Sequence, residues 1–133
     1  MTAAVPSPMD PAVLAKQADA LRAGLALLAI VNGAVPLRIS APAEGLLYVT
    51  PGRGLEYRSD VEEDEYNLAV LRMLSEILGR PLIVGGGSGS YLSVRITLVL
   101  FDVEVEIYEV VNTPEGRDIA RQLATPAPSG VAA

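Results

Sequence analysis

The stretch YLSVRITLVLFDVEVEIYEVV, residues 91–111, decides the fold. In its first half Leu92, Val94, Ile96 and Leu98 share one parity, and Tyr91, Ser93, Arg95 and Thr97 take the other. A period of two marks a strand with one face in a core. In the second half Val103, Val105 and Ile107 alternate with Asp102, Glu104, Glu106 and Tyr108. β-Branched residues dominate the apolar parity and favour a pleated surface. The two halves therefore read as one long β-hairpin. A turn at Phe101 and Asp102 sets Leu98 opposite Val105, Ile96 opposite Ile107, Thr97 opposite Glu106 and Arg95 opposite Tyr108. A turn at Leu100 and Phe101 keeps the same faces but sets Arg95 opposite Glu106, so the pattern defines the faces better than the register. Neither turn contains the Gly or Asn-Gly that a two-residue loop favours.

Working outward, Leu82, Ile83 and Val84 make a brief strand, and GGGSGS at 85–90 connects it to the hairpin. On the other side Thr113, Pro114 and Glu115 supply an N-cap, an N1 proline and a first-turn carboxylate for a short helix reaching about residue 124, with Ile119, Ala120 and Leu123 inward. A longer helix precedes the brief strand. Ser59 and Asp60 are its alternative N-caps, each with a glutamate three residues on, Glu62 or Glu63. Val70, Leu71, Leu74, Ile77 and Leu78 form its buried stripe, Leu68 and Met73 widen it, and Gly79 followed by Pro81 ends it.

Before that helix, 46–50 and 55–58 flank Pro51-Gly52-Arg53-Gly54, whose turn chemistry predicts a second hairpin, and 35–40 reads as a short strand beginning beside Pro36. The first helix opens at Asp10 and Pro11, repeats apolar residues at Leu14, Ala18, Leu21, Leu25 and Leu28, and stops at Asn32-Gly33. Its first half is amphipathic, with Lys16, Asp19 and Arg22 outward, whereas 25–31 is apolar on every side and must be covered on more than one. The core is one cover; a helix-to-helix dimer seam is the other. Segments 1–8 and 125–133, small and interrupted by proline, are expected to be disordered, which leaves 9–124 as one domain. The predicted class is α+β: an antiparallel sheet built around the long hairpin, with helices packed mainly on one face.

Composition bounds the chemistry. With no Cys and no His among 133 residues, the chain lacks a thiolate nucleophile and the commonest general base and transition-metal ligand. Zinc-finger, cysteine-protease and Ser-His-Asp readings are closed. The net charge of −6 sits largely in Asp60, Glu62, Glu63, Asp64 and Glu65, which are explained by their place in a helical first turn. This balance opposes a nucleic-acid groove, which needs clustered Lys and Arg. No charged leader precedes an apolar run, and 25–31 is far shorter than the roughly 20 residues that span a bilayer, so neither membrane nor export is expected and the chain is read as cytoplasmic. Arg outnumbers Lys nine to one; with the abundant Ala, this points to a high-GC bacterial or phage genome. Half the residues are hydrophobic, and counting Gly in place of Tyr gives about 56%, against a usual 45–50%.

That apolar excess is the main functional signal. It predicts a non-enzymatic interaction or accessory protein, homodimeric or bound to a protein partner, with interface candidates Leu25, Leu28, Tyr91, Tyr108 and Val110. The alternative is a small-ligand protein or a carboxylate-dependent enzyme. Gly85, Gly86, Gly87 and Ser88, with Arg53 nearby, are candidates for an anion-binding nest, although the absent Lys and the following strand rule out a Walker A loop and a dinucleotide fingerprint. Asp102, Glu104 and Glu106 line one strand face, where carboxylates bind Mg²⁺ or Ca²⁺, or more commonly form a solvated surface. No metal site and no cofactor is assigned.

Overall fold

Residues 5–42, 45–52, 59–86 and 92–126 are described by the structure, a computed structural model. They form α1 (Pro11–Val31), β1 (Leu37–Ser40), β2 (Leu47–Pro51), α2 (Asp60–Leu78), β3 (Ile83–Gly86), β4 (Leu92–Leu100), β5 (Val103–Val111), α3 (Pro114–Leu123) and the two-residue β6 (Thr125–Pro126). The class is α+β. Residues 1–4 and 127–133 lie outside the described residues, as do 53–58, which include the second arm of the predicted hairpin.

The β4–β5 hairpin adopts the register set by a Phe101-Asp102 turn, with Ile96 opposite Ile107, Thr97 opposite Glu106 and Arg95 opposite Tyr108. Both turn residues have positive φ, 50° at Phe101 and 63° at Asp102. That is the combination a two-residue loop requires to match strand twist, reached here without glycine.

The strands order as β1-β2-β5-β4-β3-β6. The sheet is mixed, which corrects the expectation of a purely antiparallel one. β2 runs parallel to β5, with Leu47, Tyr48 and Val49 beside Val105, Glu106 and Ile107, and β6 runs parallel to β3. The physical reason lies in the connection. β2 meets β5 only after the chain has crossed back through α2, and such a crossover permits the parallel sense that a short hairpin loop forbids. Among the described residues β2 forms its hairpin with β1, Ile39 lying opposite Val49.

All three helices cover one sheet face. The core joins Val49, Val94, Ile96, Val105 and Ile107 from the strands to Leu68, Leu71 and Leu74 from α2, Leu27 from α1 and Ala120 from α3. Helix ends follow the chemistry of the sequence. Asp10 Oδ1 accepts from Ala12 N–H, Ser59 Oγ from Glu62 N–H and Thr113 Oγ1 from Gly116 N–H, while Asn32 and Gly79 close α1 and α2 in left-handed conformations.

α1 packs by a face other than the one its leucines predict. Its buried residues are Ala20, Ala23, Gly24, Leu27 and Val31. Small side chains let the helix approach the sheet closely: a Cβ on Gly24 would lie 3.4 Å from Ile39 Cγ2 and 3.5 Å from Leu47 Cδ1. Gln17 Nε2 also donates to the carbonyl of Ala41, just beyond β1. The leucine stripe is thereby turned outward.

Candidate functional site

The outward stripe on α1 is Leu14, Ala18, Leu21, Leu25 and Leu28, at successive spacings of four, three, four and three. Its leucines remain 56%, 56%, 68% and 47% exposed, and Ala18 is half-buried. An alternation of four and three keeps side chains on a single seam and is the pattern by which helices pair along a heptad. Beside the seam Arg22 Nη1 donates to Asp19 Oδ1 at 2.6 Å, an exposed pair within the helix. Leu25 and Leu28, two of the predicted interface residues, lie on this stripe. Tyr108 and Val110 lie on the opposite side of the molecule, half-buried on the sheet face that the helices leave uncovered, and Tyr91 is outside the described residues.

That uncovered face carries a pocket of about 450 Å³. Its floor is two rows across the strands. Thr97, Glu106 and Tyr48 are register partners on β4, β5 and β2, and Val99 pairs with Glu104 one step along. Leu46 borders the second row on the β2 side, and Arg80 stands at the rim where the chain leaves α2 for β3. Each wall is held in place. The Tyr48 ring meets Tyr108 edge to face, centroids 6.3 Å apart at 87°. Arg80 N–H donates to the Ser75 carbonyl at 3.2 Å, and Ser75 Oγ donates to the Arg80 carbonyl at 2.5 Å. Among the described residues neither Arg80, Glu104 nor Glu106 is in an ion pair. The pocket thus offers two carboxylates, one guanidinium, a threonine hydroxyl and an aromatic wall without mutual neutralisation.

The predicted nest is placed differently. Gly85 and Gly86 belong to β3, paired with Ser93 and Leu92, so the strand continues into the glycine run where sequence placed a loop. A Cβ on Gly85 would lie 2.6 Å from Ser93 Oγ, a contact that rotation of the hydroxyl relieves, and 3.9 Å from the Ser93 carbonyl oxygen. Gly87, Ser88 and Arg53 are outside the described residues. Asp102 occupies the hairpin turn, apart from the strand positions of Glu104 and Glu106. Among the described residues no cluster of three or more acidic side chains is arranged to hold a metal ion, and no helix is long and apolar enough to cross a membrane.

One member of the acidic run, expected to complement the first turn of α2, has a further structural role. Asp64 is only 3% exposed. Its carboxylate reaches from α2 to the start of α3, accepting from Thr113 N–H at 2.8 Å, Thr113 Oγ1–H at 2.6 Å and Asn112 N–H at 3.2 Å. Glu109 lies on the helix-covered sheet face, opposite Val94. Burial pushes its pKa above the ordinary value, reinforced by the nearby Glu63 and Asp64 and opposed by the Val110 N–H it accepts and by Arg38.

Compared with known protein families, curated proteins and solved structures, the chain matches none.

Proposed function

We propose that this chain is a non-enzymatic interaction protein that works as a homodimer, two copies pairing along the outward stripe of α1. The observation that carries the reading is the exposure of Leu14, Leu21, Leu25 and Leu28 at heptad spacing on a helix whose other face is already packed. The four leucines present on the order of 400 Å² per copy, the size of patches that are commonly functional on single chains. With Ala18, Ala29 and the stems of Gln17 and Arg22 included, two copies together approach the roughly 1,200 Å² at which specific interfaces begin. The seam is self-complementary, as a two-fold interface requires.

The non-enzymatic part rests on composition. Without His or Cys, acid–base work falls to Asp, Glu, Tyr, Lys and Arg, and the most buried carboxylate among the described residues, Asp64, is occupied in holding α3. The absence of Cys accords with a reducing cytoplasm as the compartment.

A cysteine-free chain makes the test direct. Leu21→Cys and Leu25→Cys proteins, oxidised singly and as a mixture, are expected to give covalent dimers. Same-site links at both positions indicate parallel helices, and a link at only one position or only in the mixture indicates antiparallel ones. Asp118→Cys, exposed on α3, serves as control. Cross-linking equal to that control, or none in any combination, would overturn the seam.

A further inference from the structure

We propose that the pocket on the open sheet face binds a small zwitterion whose cationic nitrogen and carboxylate are separated by a flexible chain, as in free lysine or arginine. This goes beyond the dimer reading and is independent of it, because α1 packs on the opposite face of the sheet.

Glu104 and Glu106 project from the same face of β5, about 7 Å apart along the strand. In the nearer row Glu106 is flanked by Tyr48 on one side and Thr97 on the other, each about one strand spacing, roughly 4.8 Å, away. Two carboxylates without an ion-pair partner among the described residues, Glu106 beside the Tyr48 ring and Glu104 one step along, select an ammonium or a guanidinium, which gains charge-assisted hydrogen bonds from the carboxylates and attraction from the ring.

Arg80 supplies the opposite pole. It enters from the β3 side of β4, so its backbone stands on the order of 10 Å, two strand spacings, from β5. The double tie to Ser75 holds that backbone in place, and the guanidinium is suited to a carboxylate by its planar pair of donors. Val99, on β4 between the two poles, packs against the methylene chain that separates the charges, and Leu46 closes the β2 side beyond Glu104. A volume of about 450 Å³ falls within the range of small-ligand sites. A ligand with only one charge satisfies half of this arrangement. Requirement for both charges is the signature that separates a built site from attraction to an acidic surface.

The experiment is titration calorimetry, backed by amide chemical shifts, with the full chain and five probes: lysine, arginine, 6-aminohexanoate, cadaverine and norleucine. Lysine, arginine and 6-aminohexanoate keep both charges at separation and are expected to bind with saturation. Cadaverine lacks the carboxylate and norleucine the distal cation, and each is expected to bind at least tenfold more weakly. Glu106→Gln and Arg80→Gln are surface changes whose folding is checked by thermal unfolding. Each is expected to weaken lysine binding by about ten- to a hundredfold, the usual value of one charge-assisted contact. Loss of binding in Glu106→Gln with cadaverine as good as lysine would overturn the zwitterion and leave a plain cation site. Absence of saturable binding by every probe, or lysine affinity unchanged in both variants, would overturn the pocket as a site.

Discussion

Replacement of Asp64 by Ala is predicted to be the most damaging single change to a polar side chain in this protein. The carboxylate is the shared acceptor for three donors at the junction of β5 and α3: the N–H groups of Asn112 and Thr113 and the hydroxyl of Thr113. The same hydroxyl accepts from Gly116 N–H, so the N-cap of α3 is itself oriented by Asp64. Removing the acceptor leaves the two Thr113 donors without a partner in a half-buried site, at about 1.5–3 kcal/mol for each contact to a charged group. Asn112 is exposed and recovers its partner from water, adding little. The sum is about 3–6 kcal/mol, a large fraction of the roughly 5–15 kcal/mol that holds an ordinary domain together. Asp64→Asn keeps the shape and one acceptor and is expected to cost about 1–2 kcal/mol. The assay is urea unfolding followed by circular dichroism, with amide exchange to show whether α3 loosens first. A loss below about 1 kcal/mol for Asp64→Ala would show instead that the buried contacts carry no net stabilisation.

Gly116→Ala should act on the same joint, since its Cβ would fall 2.5 Å from Asp64 Oδ2 and 2.6 Å from Val111 Cγ1; a lowered urea midpoint is expected, and an unchanged one would show that α3 shifts freely. At the hairpin, Phe101→Asn with Asp102→Gly relieves left-handed backbone at two positions, each position costing about 1–2 kcal/mol in an ordinary residue. Because Phe101 is 74% exposed the ring contributes little packing, so the double variant should gain roughly 1 kcal/mol, and a loss would assign the ring a role in the turn. Glu109→Gln tests burial of the carboxyl. A raised folded-state pKa means that the fold favours the neutral acid, so the stabilisation is fully present below the unfolded value of 4.5 and is lost as pH rises through the folded value. The glutamine variant is therefore expected to be more stable than the parent at neutral pH, with the difference closing below pH 4.5; the opposite trend in parallel melts would exclude burial as the dominant influence.

The two faces of the central hairpin are legible because alternation and apolar pairing constrain a local structure. The turn is not, since Leu100-Phe101 and Phe101-Asp102 keep the same faces, and the structure takes the second. Helix ends were legible for the same reason: Asp10, Ser59, Thr113 and Gly79 act within a few residues of themselves. The parallel β2–β5 ladder was not, since strand residues alternate identically in either sense and the crossover through α2 alone sets direction. α1 misleads because Leu14, Ala18, Leu21, Leu25 and Leu28 recur at the spacing of a buried stripe. The sheet instead accepts the helix where Ala20, Ala23 and Gly24 allow close approach, leaving the larger leucines outside. Asp64 did leave a trace in the sequence: it falls on the helical face of Leu68 and Leu71, four and seven residues on, and so points inward from within the acidic run. Half of the pocket was visible as Glu104 and Glu106 on one strand face. Arg80, Tyr48 and Leu46 join them only through tertiary packing, and no local pattern announces that meeting.

The most direct test of the proposed assembly is the solution mass by light scattering over a dilution series, run side by side for the parent chain and Leu25→Glu, with circular dichroism to confirm that both are folded. The account predicts twice the 13.9 kDa chain mass for the parent and the single-chain mass for the variant, whose buried carboxylates would face each other or apolar side chains across the seam. A parent protein at the single-chain mass throughout, or a Leu25→Glu variant that remains a dimer, would contradict it.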